Sequence, residues 1–397
     1  MSNVNKVRFS GLLYYLCQMR YIVALLIALL FSACSTNETV TESGIEPKSL
    51  TDFEEEIVRD ISINYAENFK IISSENGYIL DLIEPNTNTV ERTYRLTYDD
   101  NLAGEFVIHL PLKNITALSQ TTIGMLSDLK ALKLLSGILD IDYVYDPVVI
   151  ERLKSGHIIE FLDESNFPIE KAIQSETDLV IYSGFSREFP AEAKLNKFGI
   201  SAIPCYDWRE NHPLGRAEWV KFVGVLCGKT QESVDLFNSI EANYQAMCEK
   251  VADLSIKPSV ISGNFWGDQW TAPSGDSYMS ILFRDAGADY LFKETKGTGS
   301  IFTSMERIIK LTENTDYWIN PGFSTKDEIL ESNPKGKYVG PLKLQGSRGV
   351  FCYSHAMNQY WERSAIEPHK LLEDLIHIFH PSIAPNSTLN FYRRLAD

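Results

Sequence analysis

The residues of this 397-residue chain best suited to holding a small molecule gather in short aromatic and polar stretches. In the first half these are Ser119-Gln120-Thr121-Thr122, Tyr143 with Tyr145, Ser183-Gly184-Phe185, and Tyr206-Asp207-Trp208-Arg209. In the second half they are Phe265-Trp266-Gly267-Asp268-Gln269-Trp270, Ser274-Gly275-Asp276-Ser277-Tyr278, Pro321-Gly322-Phe323, and His355-Ala356-Met357-Asn358-Gln359-Tyr360-Trp361. Aromatic side chains give large contact area and a polar edge at small entropic cost, which suits a flat chelate or macrocycle better than a bare ion. Each can equally be core. Arg216 and Glu218 begin a helix, where they either hold a carboxylate or phosphate or pair with other groups of the protein. Ser274 to Ser277 opens another helix and presents backbone N–H groups, although capping alone explains it. His355, between Tyr353 and Met357, is the sharpest candidate, since imidazole, phenolate and thioether all ligate haem iron. A loop histidine of this kind is otherwise solvated or hydrogen-bonded.

The chain holds seven histidines, and at most His212 and His355 fall in these stretches, which argues against a carrier of bare zinc or manganese. No protein metal site and no cofactor is expected; the ligand expected is a metal-containing chelate or macrocycle. No G-x-S-x-G, Walker A, H-E-x-x-H or G-x-G-x-x-G pattern occurs, so a binding protein is favoured over an enzyme.

These stretches need elements that hold them face to face. Lys229 to Asp253 contains no Gly or Pro, and Val234, Phe237, Ile240, Tyr244, Met247 and Val251 recur at helical spacing. Twenty-five residues make a rod of about 37 Å, with Thr230 as its expected cap. Strand and helix alternate on both sides of it. Before it lie Ile115 to Ser119, a helix through Ile123 to Leu135, Asp178 to Tyr182 and Ile200 to Pro204. After it come Ser259 to Gly263, a helix through Ile281 to Ala286, Tyr317 to Asn320, Gly349 to Tyr353 and a helix from Pro368 to Phe379. Buried apolar runs separated by helices imply parallel α/β sheets, whose ligands sit beyond the C-terminal strand ends. The expected fold is therefore α/β: two Rossmann-like lobes joined by one long rigid helix, with an extra small β region ahead of them. The divisions expected are a helix and hairpins over 51–113, a first lobe over 114–228, the helix over 229–257, a second lobe over 258–380, and a segment 381–397 folding back on the first lobe. Residues 51–68 read as a short amphipathic helix, and three alternating runs from Phe69 to Thr97 read as hairpins.

The N-terminus reads as an export signal. Tyr21 to Phe31 is an 11-residue apolar run behind Arg20, too short to span a bilayer comfortably. It leads to Phe31-Ser32-Ala33-Cys34, which resembles a bacterial lipobox, so 1–33 is an expected signal peptide, Cys34 the lipidated residue and 34–50 a tether. Met19 makes a more typical signal start than Met1. Cys205, Cys227, Cys248 and Cys352 show no metal-ligand spacing, and no disulfide framework is expected. A net charge of −16 repels nucleic acid and suits a basic partner surface or a neutral or cationic ligand.

The chain also echoes itself. Glu170 stands in the first turn of a helix that leads to Thr177-Asp178 at the head of a strand, and Glu306 stands likewise before Thr315-Asp316. Helix dipoles favour such acids by about 0.3–1 kcal/mol, yet the repetition implies two pseudo-symmetric lobes with matched carboxylates. With NFPIEKAIQSETDLVIYSG, HPLGRAEWVKFVGVLCGK, SGDSYMSILFRDAGADYLF and NQYWERSAIEPHKLLEDLIHIFHP in this order, the chain resembles the ABC-importer substrate-binding proteins whose two lobes are joined by one long helix. The resemblance runs from about Asn114 to Pro385. It implies a monomeric carrier of an iron–siderophore complex first, cobalamin or haem next, delivered to a permease whose arginines meet Glu170 and Glu306. It also implies small closure around the stiff helix, and a lipid-anchored protein facing the periplasm or cell exterior. A scavenger or sensor without an ABC partner, and a two-lobed enzyme, are the alternatives.

Overall fold

Alternating apolar and polar residues from Phe69 onward make β1 (Phe69–Ser74), β2 (Gly77–Glu84) and β3 (Thr89–Thr97), an antiparallel meander, and β4 (Val107–His109) adds parallel to β3. The structure, a computed structural model, describes residues 57–397 apart from 186–187, 345, 354–358, 384–387 and 397. The expected signal peptide, Cys34 and the tether lie outside these, as do His355, Met357 and Asn358. Phe69, Tyr78, Leu80, Tyr94 and Leu96 of the meander are buried in the main core.

The first lobe follows as β5 (Ile115–Ala117), α1 (Gln120–Asp128), β6 (Leu135–Leu139), α2 (Pro147–Lys154), β7 (Ile159–Phe161), α3 (Ile169–Gln174), β8 (Leu179–Tyr182), α4 (Glu192–Leu195), β9 (Ser201–Pro204) and α5 (Pro213–Leu226). Its sheet has the order β7-β6-β5-β8-β9, all parallel. The helix expected to reach Leu135 stops at Asp128, because Lys130 turns to φ +55° and Leu132–Leu134 tighten into a 3-10 turn before β6.

The long helix is α6 (Thr230–Glu249), shorter than expected: residues after it continue as i→i−3 turns. Its N-cap is Lys229, with Thr230 one position inside, so the expected Thr230 cap is not made. Phe237, Ile240 and Tyr244 are its buried face, as the spacing predicts. The second lobe comprises β10 (Ser259–Ser262), β11 (Asn264–Trp266), β12 (Gln269–Pro273), α7 (Tyr278–Asp285), β13 (Asp289–Tyr290), β14 (Ser300–Ser304), α8 (Met305–Leu311), β15 (Tyr317–Ile319), α9 (Lys326–Ser332), β16 (Gly349–Tyr353), α10 (Tyr360–Arg363), α11 (Pro368–Phe379) and β17 (Tyr392–Arg394). Its main sheet runs β13-β10-β15-β16-β17 and is parallel except for β17; β11-β12-β14 form a separate antiparallel sheet. Two expectations are corrected here. Phe265 to Trp270 is a hairpin rather than a loop. Among its described residues, the C-terminal segment joins the second lobe rather than the first: β17 pairs with β16.

A third correction concerns residues 57–68, which carry no helix. Their N–H groups are met by side chains distant in sequence. The Glu218 carboxylate, fully buried, accepts from the N–H of Asn64, Tyr65 and Ala66 at 2.8–3.1 Å. Glu210 accepts from Glu67 and Asn68, and Lys221 donates to the Ser62 carbonyl at 2.7 Å. With its donors satisfied this way, the strap has no need of helical bonds.

The internal echo has a structural cause. Asp178, ahead of β8, accepts from the N–H of Lys113 and Asn114 ahead of β5, at 2.8 and 2.9 Å. Asp316, ahead of β15, accepts from the N–H and hydroxyl of Ser259 at the head of β10, both at 2.9 Å. Each carboxylate ties the start of its strand to the start of the neighbouring parallel strand.

Candidate functional site

In the first lobe, the strand ends lead to a loop in which every side chain is held. Tyr206 donates to Glu91 at 2.7 Å. Asp207 accepts from Thr121 at 3.2 Å and from Arg216 at 3.1 Å. The Trp208 indole N–H donates to the Ser183 carbonyl at 2.8 Å, and its ring stacks on Phe185 at 4.4 Å between centroids. Phe185 is 73% exposed, which gives the loop a free aromatic face. Beside it opens a recess of about 230 Å³ lined by Leu139, Glu164, Ser165, Ser183, Phe185 and Pro190. Ser183 donates to Glu164 at about 3 Å, yet burial holds the Glu164 carboxyl above its ordinary range.

In the second lobe the corresponding strand ends, at Asn320 and Tyr353, flank a recess of about 80 Å³ with Gly322, Phe323, Ser324 and Cys352. Tyr353 stacks on Tyr360 at 4.0 Å, and Trp361 sits edge-on to both. Burial pushes the Tyr353 phenol up to about 12, and burial with neighbouring phenols raises Tyr360 well above the ordinary phenol value, so both hydroxyls stay protonated at neutral pH.

The two halves meet at Arg216. It projects from the first turn of α5, pairs with Asp207, and lies over the Tyr278 ring at 4.6 Å. Tyr278 begins α7, whose N-cap Ser277 accepts from the Ser280 N–H. Among the described residues, the buried Arg216 Nε has no hydrogen-bond partner. A second crossing lies nearby. Glu362 of α10 is buried, and its carboxylate accepts from the N–H of Tyr145 and of Asp146, while Arg363 holds Asp128 of α1 at 2.5 and 3.1 Å. A Cβ on Gly124 would lie 1.8 Å from the Glu362 carbonyl oxygen, so α1 and α10 touch backbone to backbone. The lobes are thus tied by more than α6.

Of the remaining sequence-predicted residues, several stand at or near these strand ends. Ser119 bonds to Thr121 at 2.8 Å at the start of α1, and the Gln120 amide reaches the Leu139 carbonyl. Tyr143 is exposed and Tyr145 half-buried. Trp266 is 91% exposed at the β11–β12 turn. Asp276 accepts from the Gly297 N–H at 2.9 Å, which fastens a loop. Others are packing residues. Trp270 is fully buried and donates to the Ser262 carbonyl, so it is core. Tyr206 is buried against the meander, and Ser274 is buried with its carbonyl accepting from Ser277. Tyr360 is buried under the stack that it supports. Glu218 proves structural, and His212 caps α5 by accepting from the Leu214 N–H, its charge disfavoured by burial. Glu170 is exposed in the first turn of α3. Glu306 is exposed in α8, and Lys335 bridges it and Asp268 at 2.7 and 2.9 Å. Sequence reasoning missed Glu362 and Arg363: they follow the His355 stretch, but nothing local marks which far carboxylate or amide they meet. Among the described residues, no group of three or more His, Cys, Asp or Glu is placed to hold a metal ion, and no helix is long and apolar enough to cross a membrane.

A chain with two α/β lobes and aromatic recesses beyond their strand ends is built to bind a solute. Residues 115–335, more than half of the chain, match the family model described as periplasmic binding protein, and the chain belongs to that family. More particularly, it is similar to an uncharacterised lipoprotein of Methanocaldococcus jannaschii, 25% identical over 382 residues, covering 90% of this chain and 89% of that one. In fold it is similar to a periplasmic haem-binding protein of Pseudomonas aeruginosa, with TM-score 0.55 and 15% identity over 70% of this chain and 96% of that one. It is also similar in fold to the molybdate periplasmic binding protein MolA of Haemophilus influenzae, with TM-score 0.54 and 13% identity over 70% and 89%.

Proposed function

We propose that this chain is the substrate-binding lipoprotein of an ABC importer, and that it captures a metal chelate between its lobes. A ferric siderophore is the first choice, cobalamin the second and haem the third. The observation that carries the reading is the placement of aromatic stacks at the strand ends of both lobes: Phe185 on Trp208 in one, Tyr353 on Tyr360 in the other. Arg216 and Tyr278 meet between them. Such faces fit a flat, bulky ligand by area rather than by coordination, and a buried arginine suits an anionic edge. Family membership and the lipoprotein relative support export. In this reading lipid on Cys34 anchors a monomer to the membrane, and Glu170 and Glu306 meet a basic permease surface. His355 remains a candidate ligand to the chelated metal.

The test is a thermal-shift panel on the full chain in detergent, against several ferric siderophores, cyanocobalamin and haemin. A ligand at about 100 times its Kd stabilises by about 2.7 kcal/mol. A shift with one compound alone supports the reading and names the class. No shift with any compound contradicts it.

A further inference from the structure

The four-stranded N-terminal sheet precedes the residues that match the family, and burial of one face accounts for it as cover on the first lobe. Its β2–β3 turn does something else. Of the partners that hold the Tyr206–Arg209 loop, two come from this sheet: Glu91 accepts from Tyr206 at 2.7 Å, and the Asn86 side-chain oxygen accepts from Arg209 at 2.6 Å. The turn that carries Asn86 is itself set by Glu84, whose carboxylate accepts from the N–H of Asn86 and Thr87 and from the Asn86 amide. The Arg209 guanidinium lies over the Trp208 ring at 5.2 Å, and Trp208 carries the exposed Phe185. Among the described residues no carboxylate pairs with Arg209. A physical chain therefore runs from Glu84 through Asn86, Arg209 and Trp208 to Phe185, from an accessory sheet to the aromatic lip of the recess. Tyr94 and Arg92 of β3 brace it by bonding to the Ala202 carbonyl and to Glu192.

We propose that the N-terminal sheet buttresses the lip of the ligand site, with Asn86 as the positioning residue for Arg209 beside Trp208 and Glu91 as the positioning residue for Tyr206 of the same loop. The consequence for affinity rests on the proposed function; the positioning does not.

The experiment labels the six tryptophans of the full chain with 5-fluorotryptophan and assigns the Trp208 resonance by its loss in Trp208→Phe. In Asn86→Ala the Trp208 resonance is expected to shift or broaden, and more so with Tyr206→Phe added. Asn86→Asp, which still accepts from Arg209, restores it. Thr93→Ala removes a bond to Asp81 inside the sheet and leaves the resonance in place. With haemin as probe, Asn86→Ala weakens binding by about tenfold, the worth of one such bond to a charged group. An unmoved Trp208 resonance in both Asn86→Ala and the double variant overturns the proposal. So does an equal movement in Thr93→Ala, which marks general loosening of the sheet. Haemin that fails to bind the unaltered chain removes haem alone from the candidate ligands, and the resonance still decides the positioning.

Discussion

The two lobes share a frame and differ in what is attached to it. In both, an aspartate ahead of one strand gathers the head of its parallel neighbour, Asp178 in the first and Asp316 in the second. In both, a buried carboxylate collects consecutive N–H groups from an end of the described chain. Glu218 holds residues 64–66 against the first lobe, and Asp374 holds Asn390, Phe391 and Tyr392 against the second. The attachments are not shared. The first lobe carries the N-terminal sheet, whose turn reaches the Trp208 loop. The second carries the β11-β12-β14 sheet and the closing strand β17. The comparison teaches that the repeated part builds the frame, while the unrepeated parts shape the faces where the lobes meet.

The two buried carboxylates give the largest expected effects. Asp374→Ala strands three backbone donors and is expected to cost about 3 kcal/mol or more in urea unfolding. Glu218→Ala does the same and also leaves Lys221 buried without its 2.8 Å partner, so its loss should exceed that of Asp374→Ala. Equal losses would break the comparison at this point.

Next in size is a pH effect at the first lobe's strap. Burial pushes the Glu210 carboxyl up to about 7, against the pull of donors from Glu67, Trp219 and Asn68. The fold then binds this proton more tightly than the unfolded chain does. The contribution is fully present below the ordinary carboxyl range and is lost as pH rises through 7. Stability should fall by up to about 3 kcal/mol from this group across that window, and Glu210→Gln should flatten the fall in thermal unfolding.

Smaller effects test the shared frame. Asp178→Ala and Asp316→Ala should each lower stability by about 1–2 kcal/mol, with Asp316→Ala the larger because Arg348 also pairs with it at 3.0 Å. The least stability change is expected at the proposed docking residues. Glu170→Ala and Glu306→Ala, both exposed, should leave the unfolding free energy from urea denaturation within about 0.5 kcal/mol of the unaltered chain. Each should weaken capture of the permease in a pull-down. Lys335→Ala, which frees Glu306, should strengthen it.

How much was legible in the sequence follows the same division. The frame was readable because it rests on local periodicity: β8, β10, β16 and α11 lie where apolar runs and helical spacing put them. The Glu170 and Glu306 echo was readable because the lobes repeat it. The misreadings involve partners far along the chain. Residues 57–68 look amphipathic, but carboxylates more than 140 positions away take up five of their N–H groups. Trp270 and Trp266 sit four residues apart in one aromatic run, and only the pleat of β11 and β12 sends one to the core and the other to solvent. Tyr206 follows a strand just as Trp208 does, and only the meander's presence buries it.

The central claim, a ligand held between the lobes, is tested most directly by equilibrium dialysis of the full chain with the compound that the thermal panel selects. Trp208→Ala and Tyr278→Ala each alter one lobe. The account predicts one ligand bound per chain, and at least about tenfold weaker binding in either variant, the loss of one aromatic contact face. Unchanged affinity in both variants would contradict it.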